Sequence, residues 1–381
     1  MHSMYKECNP TPALSPKMLL FNEDLAKEIN LHYLIENSNE RLDILSGNKL
    51  IKDSKPIAFA YSGHQFGHFN PNLGDGRALL LGEILDQQGK LKDIQLKGSG
   101  RTPFSRRGDG KSALGPVLRE YLISESMHIL GIPTTRSLAA INTGEKVHRD
   151  EETYGGIMTR VASSHIRIGS FEYAYKNKDI SVVKDLADYS ISRHYPDTAS
   201  LDNPYLAFFA AVCNEQASLV ASWMTVGFIH GVMNTDNMAI SGETIDYGPC
   251  AFMDAYDPAT VFSSIDVNGR YAYGNQPAIL TWNLTRLAET LIPLVNKDKD
   301  ESIKLLTEVL QLIKPVYTNY WLSLMRSKIG LSKEEQNDIE LITNLLEIME
   351  EEKADFTNSF RLLSKALIGD TQSIRKLFNN S

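Results

Sequence analysis

One segment, residues 227–249, most constrains what this chain can fold into: its sequence is GFIHGVMNTDNMAISGETIDYGP. It predicts the end of a helix, a polar loop carrying Asp236 and Asn237, a short hairpin that turns at residues 241–243, and an acidic turn at Asp246. Carboxylate and amide oxygens suit Mg²⁺, which takes a few hard ligands from the protein and the rest from water and phosphates. The segment therefore predicts a site for a metal ion and a phosphate group.

The segment also matches part of the protein-kinase pattern H-R-D-x-x-x-x-N followed by D-F-G. His230 and Asn237 occupy the first and last places of the first motif, but Val232 stands where kinases carry the catalytic Asp. Valine cannot accept a proton, so by the kinase rule the base is missing. Two carboxylates, Asp236 and Asp246, nevertheless remain beside the amide. The alternative interpretation is a polar turn between two core strands.

The size and charge of the chain restrict its class. A chain of 381 residues is too long for one compact core, so we expect two lobes. The net charge of −8 argues against nonspecific nucleic-acid binding. Three dispersed cysteines indicate a reducing compartment. The N-terminus lacks the apolar stretch of a secretory signal, and the most apolar run is too short to span a bilayer. We therefore expect a cytoplasmic protein with no membrane and no nucleic-acid partner.

The order of motifs in residues 70–130 is that of a kinase N-lobe. Gly74 and Gly76 allow backbone N–H groups to approach an anion, and Arg77 adds a positive charge. Alternation over residues 91–97 predicts a strand that ends at Lys97, and the next helix carries Glu120. A strand Lys paired with a helix Glu holds nucleotide phosphates in kinases. The alternatives are an ordinary hairpin turn and a solvated surface Glu.

Basic side chains form two further candidate anion sites. Arg160 and Arg167 leave or follow a predicted strand and are able to clamp a polyphosphate through bidentate contacts. Their alternative role is to cap carbonyls or to pair with surface acids. The second candidate is a basic loop containing Arg101, Arg106, Arg107 and Lys111.

Two histidines in the segment PIAFAYSGHQFGHF, His64 and His68, have the i, i+4 spacing that suits a metal ion on a helix. Gly63 and Gly67 argue against a regular helix here. We therefore interpret both histidines as structural.

Periodicity predicts an α+β protein. We expect strands at residues 137–141 and 155–160 joined by an acidic hairpin, and a helix to about residue 130 that is N-capped by Ser112. Further helices are expected at 184–195, at 204–226 and throughout 278–367. The predicted domains are an N-terminal extension at 1–55, a β-rich lobe at 56–165 and a mainly helical lobe at 166–381.

The combination of NPNLGDGRA, QLKGSGRTPFSRRGDGKSALGPVLREYL, RVASSHIRIGSFE, GFIHGVMNTDNM and IDYGPCAFMD strongly resembles the selenoprotein O family, also called SelO or YdiU. The resemblance covers nearly the whole chain. It implies a protein-kinase-like two-lobed fold that binds ATP in a flipped orientation. It also implies transfer of AMP from ATP to Ser, Thr or Tyr hydroxyls of proteins, with release of pyrophosphate.

The resemblance implies a role for each matching residue. Asp236 is the expected proton acceptor, Asn237 and Asp246 the expected ligands of Mg²⁺ or Mn²⁺, and Glu120 orients Lys97. The remaining nucleotide-binding residues implied by the resemblance are Gly74, Gly76, Arg77, Asp109, Gly110, Arg160 and Arg167.

Three functions remain open at this stage. The first is protein adenylyltransfer, with UMP transfer from UTP and Mn²⁺ as a variant. The second is phosphotransfer of the aminoglycoside-kinase type, against which Val232 argues. The third is a non-catalytic pseudokinase that binds nucleotide, against which Asp236 argues. Some family members carry a Cys or selenocysteine near the C-terminus. The sequence here ends in Asn379-Asn380-Ser381, which leaves redox regulation through such a residue an open question.

Overall fold

The computed structural model describes residues 2–176 and 179–378, so the expectation about residues 379–381 lies outside the described residues. The strands are β1 (Tyr5–Glu7), β2 (Lys17–Phe21), β3 (Ile57–Phe59), β4 (Gly63–Gln65), β5 (His68–Asn70), β6 (Ala78–Leu85), β7 (Leu91–Lys97), β8 (Ser112–Ala113), β9 (Arg136–His148), β10 (Glu152–Ala162), β11 (Phe228–Ile229) and β12 (Ala251–Phe252). The helices are α1 (Glu23–Glu28), α2 (His32–Glu36), α3 (Ser38–Leu45), α4 (Leu114–Ile129), α5 (Ile168–Lys176), α6 (Ile180–His194), α7 (Pro204–Thr225), α8 (Gln276–Val295), α9 (Lys299–Ile329), α10 (Asp338–Glu351), α11 (Phe356–Leu367) and α12 (Thr371–Arg375).

These elements confirm the α+β class and most of the predicted elements. An eight-stranded antiparallel sheet has the order β1-β3-β6-β7-β10-β9-β2, with β8 paired to β10. Two smaller antiparallel pairs, β4–β5 and β11–β12, complete the strands. The predicted strand at 91–97 is β7, and the predicted helices differ from those observed mainly at their ends. In the described part of the chain, no helix is both long and apolar enough to cross a membrane.

Side chains alternate along β7, so this strand has one apolar face and one polar face. Ile94 and Leu96 join a buried apolar cluster, whereas Gln95 and Lys97 lie on the opposite face. The register places Gln95 opposite Arg160 of β10. Because Lys97 lies on the same face as Gln95, the buried cations Lys97 and Arg160 lie on one face of two neighbouring strands. The apolar cluster also contains side chains from α1 to α3, namely Leu25, Ala26, Ile29, Leu34, Ile44 and Leu45.

Helix α4 packs on β9 and β10 through Val117, Ala140 and Met158. The prediction that Ser112 caps this helix is wrong. Ala113 precedes the first turn without a side-chain cap, and Ser112 instead pairs with Gly156 as part of β8. Ser112, which the local sequence predicted at the helix N-terminus, therefore belongs to a strand.

The predicted hairpin around residues 241–243 is also wrong. The segments before and after the turn do not form a β-ladder with each other. Ala239 forms an isolated bridge to Arg167, and Thr244 forms one to Thr134. Pairing with distant segments outweighs the local turn preference and draws the Asp236–Asp246 region onto the sheet edge.

Contacts between Cα atoms divide the chain into two compact units. The first runs from the N-terminal region to Phe208 and also includes Asn234–Tyr247 and Arg286–Ser302. The second contains Phe209–Met233, Gly248–Thr285 and the chain from Ile303 onward. All the predicted site residues belong to the first unit. The lobe bounds at 55 and 165 stay a prediction.

Candidate active site

Asp246 is the centre of a buried cluster of charges. Its Oδ1 lies 2.7 Å from Lys97 Nζ and 2.6 Å from Arg160 Nη2. Its Oδ2 accepts a hydrogen bond from Arg167 Nη1. The residue adopts a φ of 62°, a left-handed conformation that Asp tolerates better than most residues. Three cations, from β7, from β10 and from the residue that precedes α5, therefore converge on one carboxylate.

Glu120 is the second carboxylate of this cluster. Its Oε2 lies 2.7 Å from Lys97 Nζ, and its Oε1 accepts a hydrogen bond from Arg160 Nη2. The side chain is almost fully buried because α4 turns it towards β7 and β10. Lys97 and Glu120, which the motif order predicted to pair, are thus in direct contact. Arg160, only 1% exposed, joins Glu120 to Asp246.

The electrostatics keep both carboxylates ionised. Burial alone would raise the pKa of Asp246, but the charges of Arg160, Lys97 and Arg167 hold that pKa well below its usual range. Burial likewise opposes ionisation of Glu120, and Arg160 and Lys97 outweigh it, so that pKa is also lowered. Lys97, Arg160 and Arg167, which we call the cation cluster, thus surround the carboxylates of Glu120 and Asp246. Clustered cations of this kind attract phosphate groups.

Asp236 has a different environment from Asp246. Its Oδ2 accepts a hydrogen bond of 3.2 Å from Gln65 Nε2, whereas the buried Oδ1 has no hydrogen-bond partner among the described residues. Burial raises the pKa of Asp236 to about 6, although Arg167 and Gln65 act in the opposite direction. A carboxylate whose pKa lies close to neutrality is suited to general-base chemistry.

Arg167 connects the two acidic residues. Its Nη1 donates a hydrogen bond of 2.6 Å to the backbone oxygen of Asp236 and also binds the Asp246 carboxylate. The short 3₁₀ turn Thr235–Asn237 presents Asp236, and its neighbour Asn237 is half-buried. Close packing fixes this turn, because a Cβ at Gly63 would lie only 2.4 Å from Asp236 Oδ1.

The predicted phosphate-binding glycines lie in the loop before β6. Gly74 adopts a φ of 123°, and a Cβ there would meet the ring of Phe104 at 2.6 Å. A Cβ at Gly76 would approach the Phe104 carbonyl oxygen at 3.0 Å. Arg77 is exposed, and its charge contributes to lowering the pKa of Lys97, an effect dominated by burial. The loop thus presents a solvent-facing guanidinium near the buried cluster.

Asp109 and Gly110 make contacts within another region. Asp109 is exposed and pairs with Arg149 at 2.9 Å, and its Oδ1 accepts a hydrogen bond from the Lys111 backbone N–H. The Gly110 carbonyl accepts a hydrogen bond from the Gly100 N–H at 3.1 Å. In the described structure these contacts do not bring Asp109 and Gly110 to Asp246.

Three residues next to these charges were not predicted as site residues. Asp75 is buried between the two glycines, 3.9 Å from Arg167 and 3.3 Å from Gln95. Tyr61 lies under the Arg167 guanidinium, which is 4.8 Å from the ring centroid. Gln95 precedes Lys97 by two residues, so strand alternation was the signal that could have identified it.

The donor set fits a hard cation such as Mg²⁺ or Mn²⁺. Asn237 and Asp246 offer an amide oxygen and a carboxylate, and the buried Asp236 Oδ1 has no hydrogen-bond partner within the described part of the chain. Within residues 2–176 and 179–378, no group of three or more His, Cys, Asp or Glu side chains is arranged to hold a metal. His64 and His68 lie on the paired strands β4 and β5 rather than on a helix. A cation bound mainly by phosphates and water needs only a few protein oxygens.

Comparisons with known proteins agree with this chemistry. The family described as "Protein adenylyltransferase SelO" matches residues 2–380. Proteins named protein nucleotidyltransferase YdiU are 56% identical in Brevibacillus brevis, over 95% of this chain and 74% of the relative, and 56% identical in Cereibacter sphaeroides, over 100% and 79%. A relative of the same name in Maridesulfovibrio salexigens is 55% identical over 98% of this chain and 76% of its own length. The match to a solved structure, WaaP in complex with acyl carrier protein, covers 62% of this chain and 85% of that chain, with a TM-score of 0.23 and 11% identity.

These relatives define the class first: the protein is an enzyme of the nucleotidyltransferase group. Within that group, the chain belongs to the SelO family.

Proposed function

We propose that this enzyme transfers AMP from ATP to Ser, Thr or Tyr hydroxyls of proteins and releases pyrophosphate. The observation that carries the proposal is the connection made by Arg167. It binds both the backbone of Asp236, whose carboxylate has an available oxygen, and the carboxylate of Asp246 inside the cation cluster. This connection supports a proposed proton acceptor, Asp236, next to a proposed polyphosphate-binding group.

The chemical step follows from these positions. The acceptor hydroxyl loses its proton to Asp236 Oδ1 while its oxygen forms a bond to the α-phosphorus of ATP. The bond from that phosphorus to the oxygen bridging to the β-phosphorus breaks, and pyrophosphate leaves with the electron pair. A general base is effective when its pKa is near the working pH, and burial raises the pKa of Asp236 to about 6.

The cation cluster stabilises the charge that develops on the leaving group. Lys97 and Arg167 are positioned by carboxylates in a water-poor environment, where electrostatic stabilisation is strongest. We assign the pyrophosphate end of a flipped ATP to Lys97, Arg77 and the Gly74–Gly76 backbone. Asp109 and Gly110 stay proposed nucleotide-binding residues, and the kinase-like two-lobed arrangement is part of the same proposal.

A divalent metal ion would be held by Asn237 and Asp246. When bound, Mg²⁺ or Mn²⁺ supplies charge neutralisation for the phosphate oxygens. A carboxylate offers about four lone-pair positions. Asp246 already accepts hydrogen bonds from Lys97, Arg160 and Arg167. We propose that Arg160, which is buried, acts on the nucleotide through Asp246 and Glu120 rather than by direct contact.

The test uses ATP radiolabelled at either the α- or the γ-phosphate, with Mg²⁺ or Mn²⁺ and a generic protein acceptor. We expect protein labelling from α-labelled ATP only. Asp246→Asn should abolish it, whereas Asp150→Asn, at an exposed hairpin position, should not. Labelling from γ-labelled ATP would instead establish phosphotransfer despite Val232. ATP binding without either label would establish a non-catalytic nucleotide-binding protein.

A further inference from the structure

The hairpin formed by β4 and β5 binds the loop that carries Asp236. The His64 backbone N–H donates a hydrogen bond of 2.7 Å to Thr235 Oγ1. The Phe66 N–H donates one of 3.1 Å to Asn234 Oδ1. These contacts join residues about 170 positions apart in sequence. The hairpin is therefore attached to the loop on both sides of Gln65, which lies between His64 and Phe66.

Glu172 on α5 closes a ring of hydrogen bonds around this attachment. The Thr235 hydroxyl donates to Glu172 Oε2 at 2.5 Å, and the other carboxylate oxygen contacts His64 Nδ1. Glu172 and Thr235 are both buried. Buried polar networks that are satisfied in this way hold their members in one arrangement. We call His64, Thr235 and Glu172 the hairpin clamp.

The side chain held by this clamp is Gln65. Its Nε2 donates to Asp236 Oδ2 at 3.2 Å, and the opposite oxygen, Oδ1, has no hydrogen-bond partner among the described residues. Gly63 at the start of the same strand packs against Asp236, since a Cβ there would approach Oδ1 within 2.4 Å. The hairpin thus fixes one carboxylate oxygen by a hydrogen bond and shapes the space beside the other.

We propose that Gln65 is a positioning residue, which holds Asp236 so that Oδ1 is the oxygen that receives the proton of the acceptor hydroxyl. The proposal rests on the proposed function. A carboxylate joined to its chain by rotatable bonds presents either oxygen unless a neighbour selects one. The Gln65 amide makes that selection, and the hairpin clamp keeps the amide in place.

The main variants are Gln65→Leu, which keeps the approximate volume but removes the donor, and Gln65→Glu, which replaces the amide by a second carboxylate. The control is Gln88→Leu, because Gln88 is an exposed glutamine in the loop between β6 and β7. AMP transfer is measured with α-labelled ATP at saturating and limiting ATP, and ATP binding is measured separately by calorimetry.

We expect kcat of Gln65→Leu to fall about 10- to 100-fold, the range for losing a hydrogen bond to a charged group. ATP affinity should stay within about twofold, because the hydrogen bond that the described structure gives the Gln65 side chain is to Asp236 rather than to Lys97, Arg160 or Arg167. Gln65→Glu replaces the donor by a second carboxylate that repels Asp236, so it should lose at least as much kcat. Gln88→Leu should match the wild type.

An unchanged kcat in Gln65→Leu would overturn the proposal, as would a loss of kcat that only parallels the loss of ATP binding or of folded protein. If Gln65→Leu does not fold, Thr235→Val provides the second test. It removes the hydroxyl that binds both His64 and Glu172, and it should lower kcat while ATP binding persists. Wild-type protein that binds ATP but does not transfer AMP would refute the proposed function itself, an outcome distinct from these.

Discussion

Replacing Glu120 by Gln should lower the free energy of unfolding of the first compact unit and largely abolish AMP transfer. The change preserves the shape of the side chain but removes one of the two carboxylates that neutralise Lys97 and Arg160. Both cations would then depend on Asp246 alone, which also binds Arg167. The new amide has one oxygen that accepts a hydrogen bond from either cation. Its NH₂ group then faces the other cation and cannot bind it.

The expected magnitude follows from the burial of the pair. Glu120 is 5% exposed and Arg160 is 1% exposed, so solvent screens them little. Breaking a buried ion pair by removing one partner costs about 3–5 kcal/mol. We expect roughly 3 kcal/mol for the isosteric change, which corresponds to about 100-fold faster hydrogen exchange where exchange requires unfolding. Loss of Lys97 orientation should reduce kcat for AMP transfer by roughly 100-fold.

Hydrogen exchange of β7 and β10 amides and AMP transfer with α-labelled ATP measure the two effects. Glu125→Gln is the matched control, since Glu125 is on the same helix and pairs with Arg136 away from Asp246. It should change stability but leave kcat within about threefold of the wild type. Wild-type kcat in Glu120→Gln would refute the reasoning that this carboxylate positions Lys97 for transfer.

Three further predictions can be checked in the same protein. Lys97→Met should weaken ATP binding at least about tenfold because a phosphate-facing cation is lost, and calorimetric binding equal to the wild type would contradict that role. Gly63→Ala should reduce AMP transfer at least about tenfold, because the new Cβ displaces Asp236 Oδ1. The control is Gly82→Ala, where no atom lies within 4 Å of the new Cβ. Equal activity of the two variants would refute the packing argument. Burial lowers the pKa of His194 to about 4. Between pH 6.5 and pH 4 the unfolded chain therefore binds a proton that the folded chain does not. The free energy of unfolding should decrease by up to about 3 kcal/mol as the pH falls through this range. His194→Gln should therefore show a smaller decrease in melting temperature between pH 7 and pH 5, and an unchanged decrease would contradict this assignment.

The sequence predicted those parts of the site that depend on local order. Alternation identified the strand ending at Lys97, and periodicity placed Glu120 on the next helix, which led to the contact between them. Asp236 and Asp246 were identified because two carboxylates and an amide in one segment suit Mg²⁺ and match part of the kinase pattern. Local sequence also marked Lys97, Arg160 and Arg167 as candidates, but it carried no signal that they meet at Asp246, because their proximity depends on sheet register and on the packing of α4.

The wrong predictions have the same physical origin. A turn-rich composition at residues 241–243 suggested a hairpin, but Ala239 and Thr244 pair with segments distant in the sequence. Ser112 has the chemistry of a helix cap, yet β10 uses it as a strand partner. The contact between Gln65 and Asp236 likewise joins residues far apart in sequence, so only the folded chain reveals it.

The most direct test of AMP transfer with Asp236 as the base is a single-turnover reaction that follows protein-bound AMP and free pyrophosphate together. We predict that both appear in equal amounts in the wild type, and that Asp236→Asn binds ATP but forms neither product. Production of ADP with label transferred from the γ-phosphate, or undiminished AMP transfer by Asp236→Asn, would contradict the account.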